Sequence, residues 1–265
     1  VTGSVSWLYY SDRLMEFPLG VFGIAFATVI LPSLSRHHAA AEREEFSKLL
    51  DWGLRWVLLI SLPATIGLVF LAGPLLATFF HFGAFTDHDV RMSAEALVAF
   101  ALGLTAFMLV KVLAPGFYAQ QNTRTPMRIG VVAVVVNIAL SVVLVWPLRH
   151  TGLALAISLA AFVNAGLLFW KLRQRGVYRP EPGWLRFMGQ LVLANLALAA
   201  LLAWGVAGLN EWLQAAHLAR VVRLLTWVML GGVVYVAALW LIGLRPRMLL
   251  LRAGRGTTGS DKRDS

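Results

Sequence analysis

IGVVAVVVNIALSVVLVWPL, residues 129–148, is apolar except for Asn137 and Ser141. A hydrocarbon core of ~30 Å takes ~20 residues of helix, and this run has that length. A strand of a membrane barrel would show about ten residues of alternating polarity instead. A helix satisfies its backbone groups internally, as hydrocarbon demands. Outward from this run the same reading recurs at residues 5–34, 49–80, 90–118, 152–170, 185–209 and 221–244. The fold class is therefore all-α integral membrane, with about seven transmembrane helices. Pro18 is expected to break the first span, and Pro63 and Pro74 lie inside the second.

Composition agrees. Of 265 residues, 59% are hydrophobic and 14% charged, and the mean hydropathy is +0.74. Soluble domains run at about 45–50% apolar and about 25% charged, so the balance argues against a soluble globule, and a disordered chain is excluded. There is no cysteine, which removes disulfides, thiolate metal sites and cysteine nucleophiles. The net charge of +10 would suggest nucleic acid in a soluble protein. Here the cations sit between apolar runs, so we read them as topology signals and as partners for anionic lipid headgroups, with no nucleic acid. Seventeen of the 23 Lys and Arg fall on one side of the seven spans. Only Arg91, Arg149, Arg220 and Arg223 fall on the other, while Arg13 and Lys111 lie within spans. By the positive-inside bias the C-terminus is cytoplasmic.

Two interruptions matter. YRPEPGW (178–184) carries two prolines and a glycine and separates the fifth span from the sixth. The last residues are basic and rich in Gly and Ser, and disorder is expected beyond Arg252. The chain begins at Val1, in sequence that reads as the interior of a membrane protein, so we expect a fragment of something longer.

The chemistry-bearing residues are few. Asp12, Arg13 and Glu16 precede Pro18 and lie along one side of a helix. Lys111 interrupts an otherwise apolar run just before Pro115 and Gly116. A charge within a span costs about 2.5–3.5 kcal/mol on insertion scales, so it persists when paired, snorkelling or facing water. A polar cavity wall is the functional reading; snorkelling toward the interface is the alternative. Asn137 and Ser141, four apart, suit interhelical hydrogen bonding better than an ion site, since no carboxylate accompanies them. The six histidines fall in loops or at interfaces and are expected to be solvated, without metal. No GxSxG, P-loop, GxGxxG or HExxH motif occurs.

DRLMEFPLGVFGIAFATVILPSLSR (12–36) and KVLAPGFYAQQNTRTP (111–126), with GSVSWLYY (3–10) and PGW (182–184), resemble the MurJ (MviN) lipid II flippases of bacteria. These belong to the multidrug/oligosaccharidyl-lipid/polysaccharide exporter superfamily. The resemblance implies a fourteen-helix, two-lobe flippase of which these spans are helices 8–14. Residues 1–175 would be the second-lobe helices 8–12, residues 176–244 two additional C-terminal helices, and residues 245–265 a basic cytoplasmic tail. The first lobe of the same protein would be missing. It further implies alternating access that carries lipid II from the cytoplasmic to the periplasmic leaflet of the inner membrane, with no enzyme activity and no cofactor. Arg13 and Lys111 would face the cavity that receives the diphosphate-linked headgroup, with Asp12 and Glu16 as charged neighbours. The driving force would be the membrane potential or a monovalent cation. A sodium site in some members uses acidic groups, and here only Asn137 and Ser141 stand on the eleventh-helix equivalent. A related exporter of another polyprenyl-linked glycan or a drug, a membrane glycosyltransferase, and a scaffold in cell-wall synthesis are the alternatives.

Overall fold

A computed structural model describes residues 3–206 and 208–244; the tail expected over 245–265 lies outside them. The helices are α1 (Ser4–Ala39), α2 (Arg43–Phe79), α3 (Asp87–Tyr118), α4 (Arg124–Gln174), α5 (Trp184–Gly205), α6 (Leu209–Gln214) and α7 (His217–Leu241). No strand occurs among the described residues. By length and apolarity α2, α3, α4, α5 and α7 can each cross a membrane, and the two parts of α1 pass the same test together.

At 51 residues α4 would extend about 75 Å if straight, far beyond one bilayer. It folds back at Arg149, whose backbone turns to φ 52° and ψ −128°. The Arg175 guanidinium, just past its end, donates to the Thr125 hydroxyl near its start at 3.0 Å. The two limbs are therefore antiparallel and each is of membrane length, which accounts for two of the expected spans. Gly152 permits the reversal: a Cβ there would stand 2.6 Å from the Leu144 carbonyl carbon. The short α6 was not expected from periodicity.

Pro18 does not break the first span. Both Pro18 and Pro32 lie inside α1, and the 41° bend falls between its Ser4–Gly23 and Thr28–Ala39 parts. A proline removes one backbone donor, but a membrane helix tolerates that loss when neighbours re-satisfy the freed carbonyl.

The central strut is α3, which packs against α1, α2 and α4. Its Leu97, Leu104, Met108, Val112 and Phe117 are fully enclosed. Between apolar helices in lipid, association rests on close packing and hydrogen bonds rather than on expulsion of water. The α3–α4 contact uses both. A Cβ on Gly103 would lie 2.7 Å from the Ser158 Cα, and the Ser158 hydroxyl donates to the Ala99 carbonyl at 2.7 Å. At the start of α3, Thr86 and Asp89 form a reciprocal cap. Asp89 also accepts from Trp7 Nε1 at 2.7 Å, which ties α1 to α3. A second apolar cluster joins α5 and α7, through Phe187, Leu191, Leu198, Leu202, Tyr235 and Leu239, to one side of α2. The YRPEPGW stretch lies between α4 and α5.

Candidate functional site

Trp7, Ser11 and Met15 mark the buried side of α1. The Ser11 hydroxyl lies 2.7 Å from both the Ser93 and the Trp7 carbonyl oxygens, which fixes that side on α3. Helical geometry then turns Tyr9, Arg13 and Glu16 away from the core, and all three are exposed. Arg13 Nη1 donates to Glu16 Oε2 at 2.9 Å, and the two side chains are 56% and 50% exposed. The guanidinium also lies 5.1 Å from the centre of the Tyr9 ring, within cation–π reach. Asp12, half-buried beside them, is in no hydrogen bond or ion pair among the described residues. Arg13 is thus held at a fixed height by residues before and after it, with its remaining donors free to meet an anion. A guanidinium can engage phosphate through two parallel bonds.

Lys111 is exposed on α3 and in no ion pair among the described residues. Its stem crosses α1 at Gly23, where an added Cβ would stand 3.5 Å from Lys111 Cγ. Gly23 lies ten residues beyond Arg13, about 15 Å along the helix. The two cations therefore do not form one cluster. They stand at different depths, with Lys111 nearer the basic end.

Asn137 and Ser141 are half-buried on the first limb of α4 and lie 3.5 Å apart, hydroxyl to amide oxygen. That contact runs along their own helix, and their limb is exposed at Val131, Val135, Ile138 and Val142. Among the described residues no group of three or more His, Asp or Glu could hold a metal ion. His38, His88 and His217 are exposed as expected, His37 and His81 are half-buried, and His150 departs from the expectation. His150 is buried, donates from Nε2 to the Met92 carbonyl at 3.0 Å, and meets the Trp7 ring edge-on.

Two buried polar nodes escaped sequence reasoning. Asp51 on α2 has a side chain only 3% exposed. Its Oδ1 accepts from the Tyr178 hydroxyl at 2.8 Å, the Glu181 amide at 3.2 Å and Trp184 Nε1 at 2.6 Å, and its Oδ2 accepts from Arg55 Nε at 2.8 Å. Ser47 adds a pair of bonds to the backbone of Arg179. The connection from α4 to α5 is thereby clasped onto α2. Burial first, and then the bond to the Asp51 carboxylate, push the Tyr178 hydroxyl above the ordinary phenol range. At the opposite end the buried Arg220 of α7 donates to the carbonyls of Ala77, Leu213 and Ala215 and to His81 Nδ1. The other nitrogen of His81 meets Asp87 at 2.8 Å. This node closes the last turn of α2, whose carbonyls lack helical partners. The i, i+4 spacing of Asp51 and Arg55 was the available signal; nothing local marked Arg220.

The sequence model described as "Lipid II flippase MurJ" matches residues 1–223. A "Probable lipid II flippase MurJ" of Vibrio cholerae is 45% identical over 244 residues, 92% of this chain and 46% of that protein. A "Lipid II flippase MurJ" of Burkholderia cenocepacia is 44% identical over 245 residues, 92% of this chain and 47% of that one. The chain spans about half the length of the curated relatives it matches. A solved structure, "Lipid II flippase MurJ, inward closed conformation", superposes with a TM-score of 0.73 at 24% identity, covering 89% of this chain and 46% of that one. That likeness shows the helical membrane fold. By the extent of the sequence match and the identities, this chain belongs to the MurJ lipid II flippase family.

Proposed function

We propose that this chain forms one wall of the transport cavity of a lipid II flippase, together with the two helices that follow that wall. In this reading residues 1–175 are the second lobe, 176–244 the additional pair, and the half present in the longer relatives supplies the opposite wall. The observation that carries it is the exposed Arg13, aimed away from its own helix bundle and braced by Tyr9 and Glu16. An outward ion pair with spare donors in an apolar helix is costly against lipid. Against a water-filled cavity it becomes a binding group for a diphosphate.

Arg13 would bind the diphosphate, and Lys111, about 15 Å deeper, would meet it at another stage of the passage. Glu16 would restore neutrality at Arg13 when the cavity is empty, and Asp12 would keep that stretch wetted. The lobes rock about the cavity and no covalent bond is made or broken. The protein would sit in the bacterial inner membrane with its C-terminus in the cytoplasm, as the distribution of 17 of 23 basic residues on one side suggests. The membrane potential or a monovalent cation would drive the cycle without a cofactor, and Asn137 with Ser141 are the polar groups of the apolar run 129–148 that would contribute to a cation path.

The test is complementation of a flippase-depleted strain by the full-length gene, comparing wild type with Arg13→Ala and Lys111→Ala at matched expression. Rescue by wild type alone is the expected result. Wild-type growth of both variants would overturn the assigned roles. Failure of the wild type despite good expression would shift the substrate to another polyprenyl-linked glycan.

A further inference from the structure

A cleft of about 440 Å³, to which α1 contributes no lining residue, is lined almost wholly by apolar side chains. Its floor is Leu54 of α2 and Leu109 and Leu113 of α3. One wall is Phe162, Gly166 and Phe169 on the second limb of α4, and its lip is Tyr178, Pro180 and Trp184. The cleft exists because α4 packs on α3 and α5 on α2, while α4 and α5 are nearly out of contact with each other. The Asp51 clasp fixes the lip, since it holds Tyr178 and Trp184 by their polar atoms and leaves their rings to the cleft.

Depth and charge identify an occupant. From Phe162 to Phe169 the cleft's wall rises about 10 Å, and Arg173 stands one turn beyond it, about 16 Å from Phe162; that reach is half of a ~30 Å hydrocarbon core, one leaflet. At its mouth three arginines stand against two carboxylates, Asp51 and the half-buried Glu181. Arg173 and Arg179 are exposed there, and Arg55 lies over the Trp184 and Phe187 rings at 5.1 and 5.6 Å. The Asp51 carboxylate is already matched by Arg55. A volume of this size suits one chain of a small ligand and is too small for a long polyprenyl tail. We infer that this cleft is a binding site for one acyl chain of an anionic phospholipid from the leaflet on the basic side, with its phosphate at Arg173 and Arg179. The bound chain would fill the gap between α4 and α5 and brace the connection between them. This inference rests on the membrane fold alone and does not require the transport reading above.

The experiment places the full-length protein in nanodiscs of equal phosphatidylglycerol and phosphatidylcholine and counts retained lipids by native mass spectrometry. Phosphatidylglycerol should be retained roughly tenfold over phosphatidylcholine, as a pair of interfacial cations allows. Arg173→Gln/Arg179→Gln, at exposed positions that leave the helices intact, should bring the two lipids to near parity. Gly166→Phe should remove the retained lipid, because a side chain there points into open space within the cleft. Gly166→Ala, the folding control, should keep it. Equal retention by the parent protein overturns the site, as does a preference that survives both variants. Displacement of the bound lipid by a polyprenyl phosphate would assign the cleft to the substrate's tail instead. A change of oligomeric state in Gly166→Phe with no change in lipid count would assign it to a second copy.

Discussion

Arg13 with Glu16 on α1 and Asp51 with Arg55 on α2 are both opposite charges one helical turn apart in apolar helices, and their environments are opposite. The α1 pair is about half exposed on each side. In the α2 pair Arg55 is 20% and Asp51 3% exposed, and Asp51 carries three further hydrogen bonds from the α4–α5 connection. An exposed ion pair gains little, since solvent screens it and ordering two side chains opposes it. A buried carboxylate stays charged only where donors replace its water. Spacing alone makes the pairs look alike. What separates them is whether a distant segment closes over the pair, which makes one a structural node and leaves the other open to a ligand.

The largest expected effect breaks the α2 side of this comparison. Asp51→Ala strands the Arg55 guanidinium, the Trp184 indole and the Tyr178 hydroxyl together. Removal of one partner of a buried pair costs about 3–5 kcal/mol, read as a large fall in thermal midpoint of the purified protein in detergent. A midpoint as small in its change as that of Glu16→Gln would show that the clasp carries no stability. Arg220→Ala should follow closely, at about 3 kcal/mol, because it leaves three helix-end carbonyls without a donor. Together the two variants ask whether burial, rather than the sign of the charge, sets the loss.

A smaller change sharpens the same contrast. Tyr178→Phe removes one charge-assisted donor to Asp51 and keeps the ring against Phe169, for a loss of about 1.5 kcal/mol. The hydroxyl titrates above its ordinary value of 10.0 in the folded chain. Above that pH the unfolded chain gives up this proton while the folded chain holds it. The stabilisation is therefore complete below pH 10 and declines as pH rises beyond it. Midpoints measured from pH 8 to 11 should fall less steeply in Tyr178→Phe than in the parent; parallel curves would remove Tyr178 as the titrating group.

These nodes also mark where sequence reading ended. The apolar run at 129–148 and its neighbours located the membrane helices because length and hydropathy are local properties. The reversal at Arg149 was visible as a gap between two runs. Family motifs pointed to Arg13 and Lys111, but their separation in depth emerged only from the crossing of Lys111 over Gly23. Asp51 finds its partners 127 to 133 residues away, and Arg220 reaches back 139 to 143 residues to His81 and Ala77. No periodicity records pairings at that range. Pro18 misled because the rule for soluble helices weights the lost hydrogen bond more heavily than a packed membrane helix does.

The smallest expected change in stability tests the open side of the comparison. Arg13→Gln removes the cation but keeps a shorter polar side chain beside Tyr9. Its partner Glu16 is half exposed, so no buried charge is stranded and solvent takes over the lost pairing. The thermal midpoint should stay within error of the parent. Glu16→Gln should do the same, because it leaves Arg13 the Tyr9 ring. The two should part in function: without Arg13 the proposed diphosphate contact is gone, whereas without Glu16 the guanidinium is freer to bind anion. Rescue of a flippase-depleted strain should therefore fail with Arg13→Gln and persist with Glu16→Gln. Should both variants fail at normal stability, the pair itself, breaking and re-forming between states, is the working element. A fall in midpoint for Arg13→Gln comparable to that of Tyr178→Phe would mean that α1 leans on this pair, and the line between an open site and a structural node would have to be redrawn.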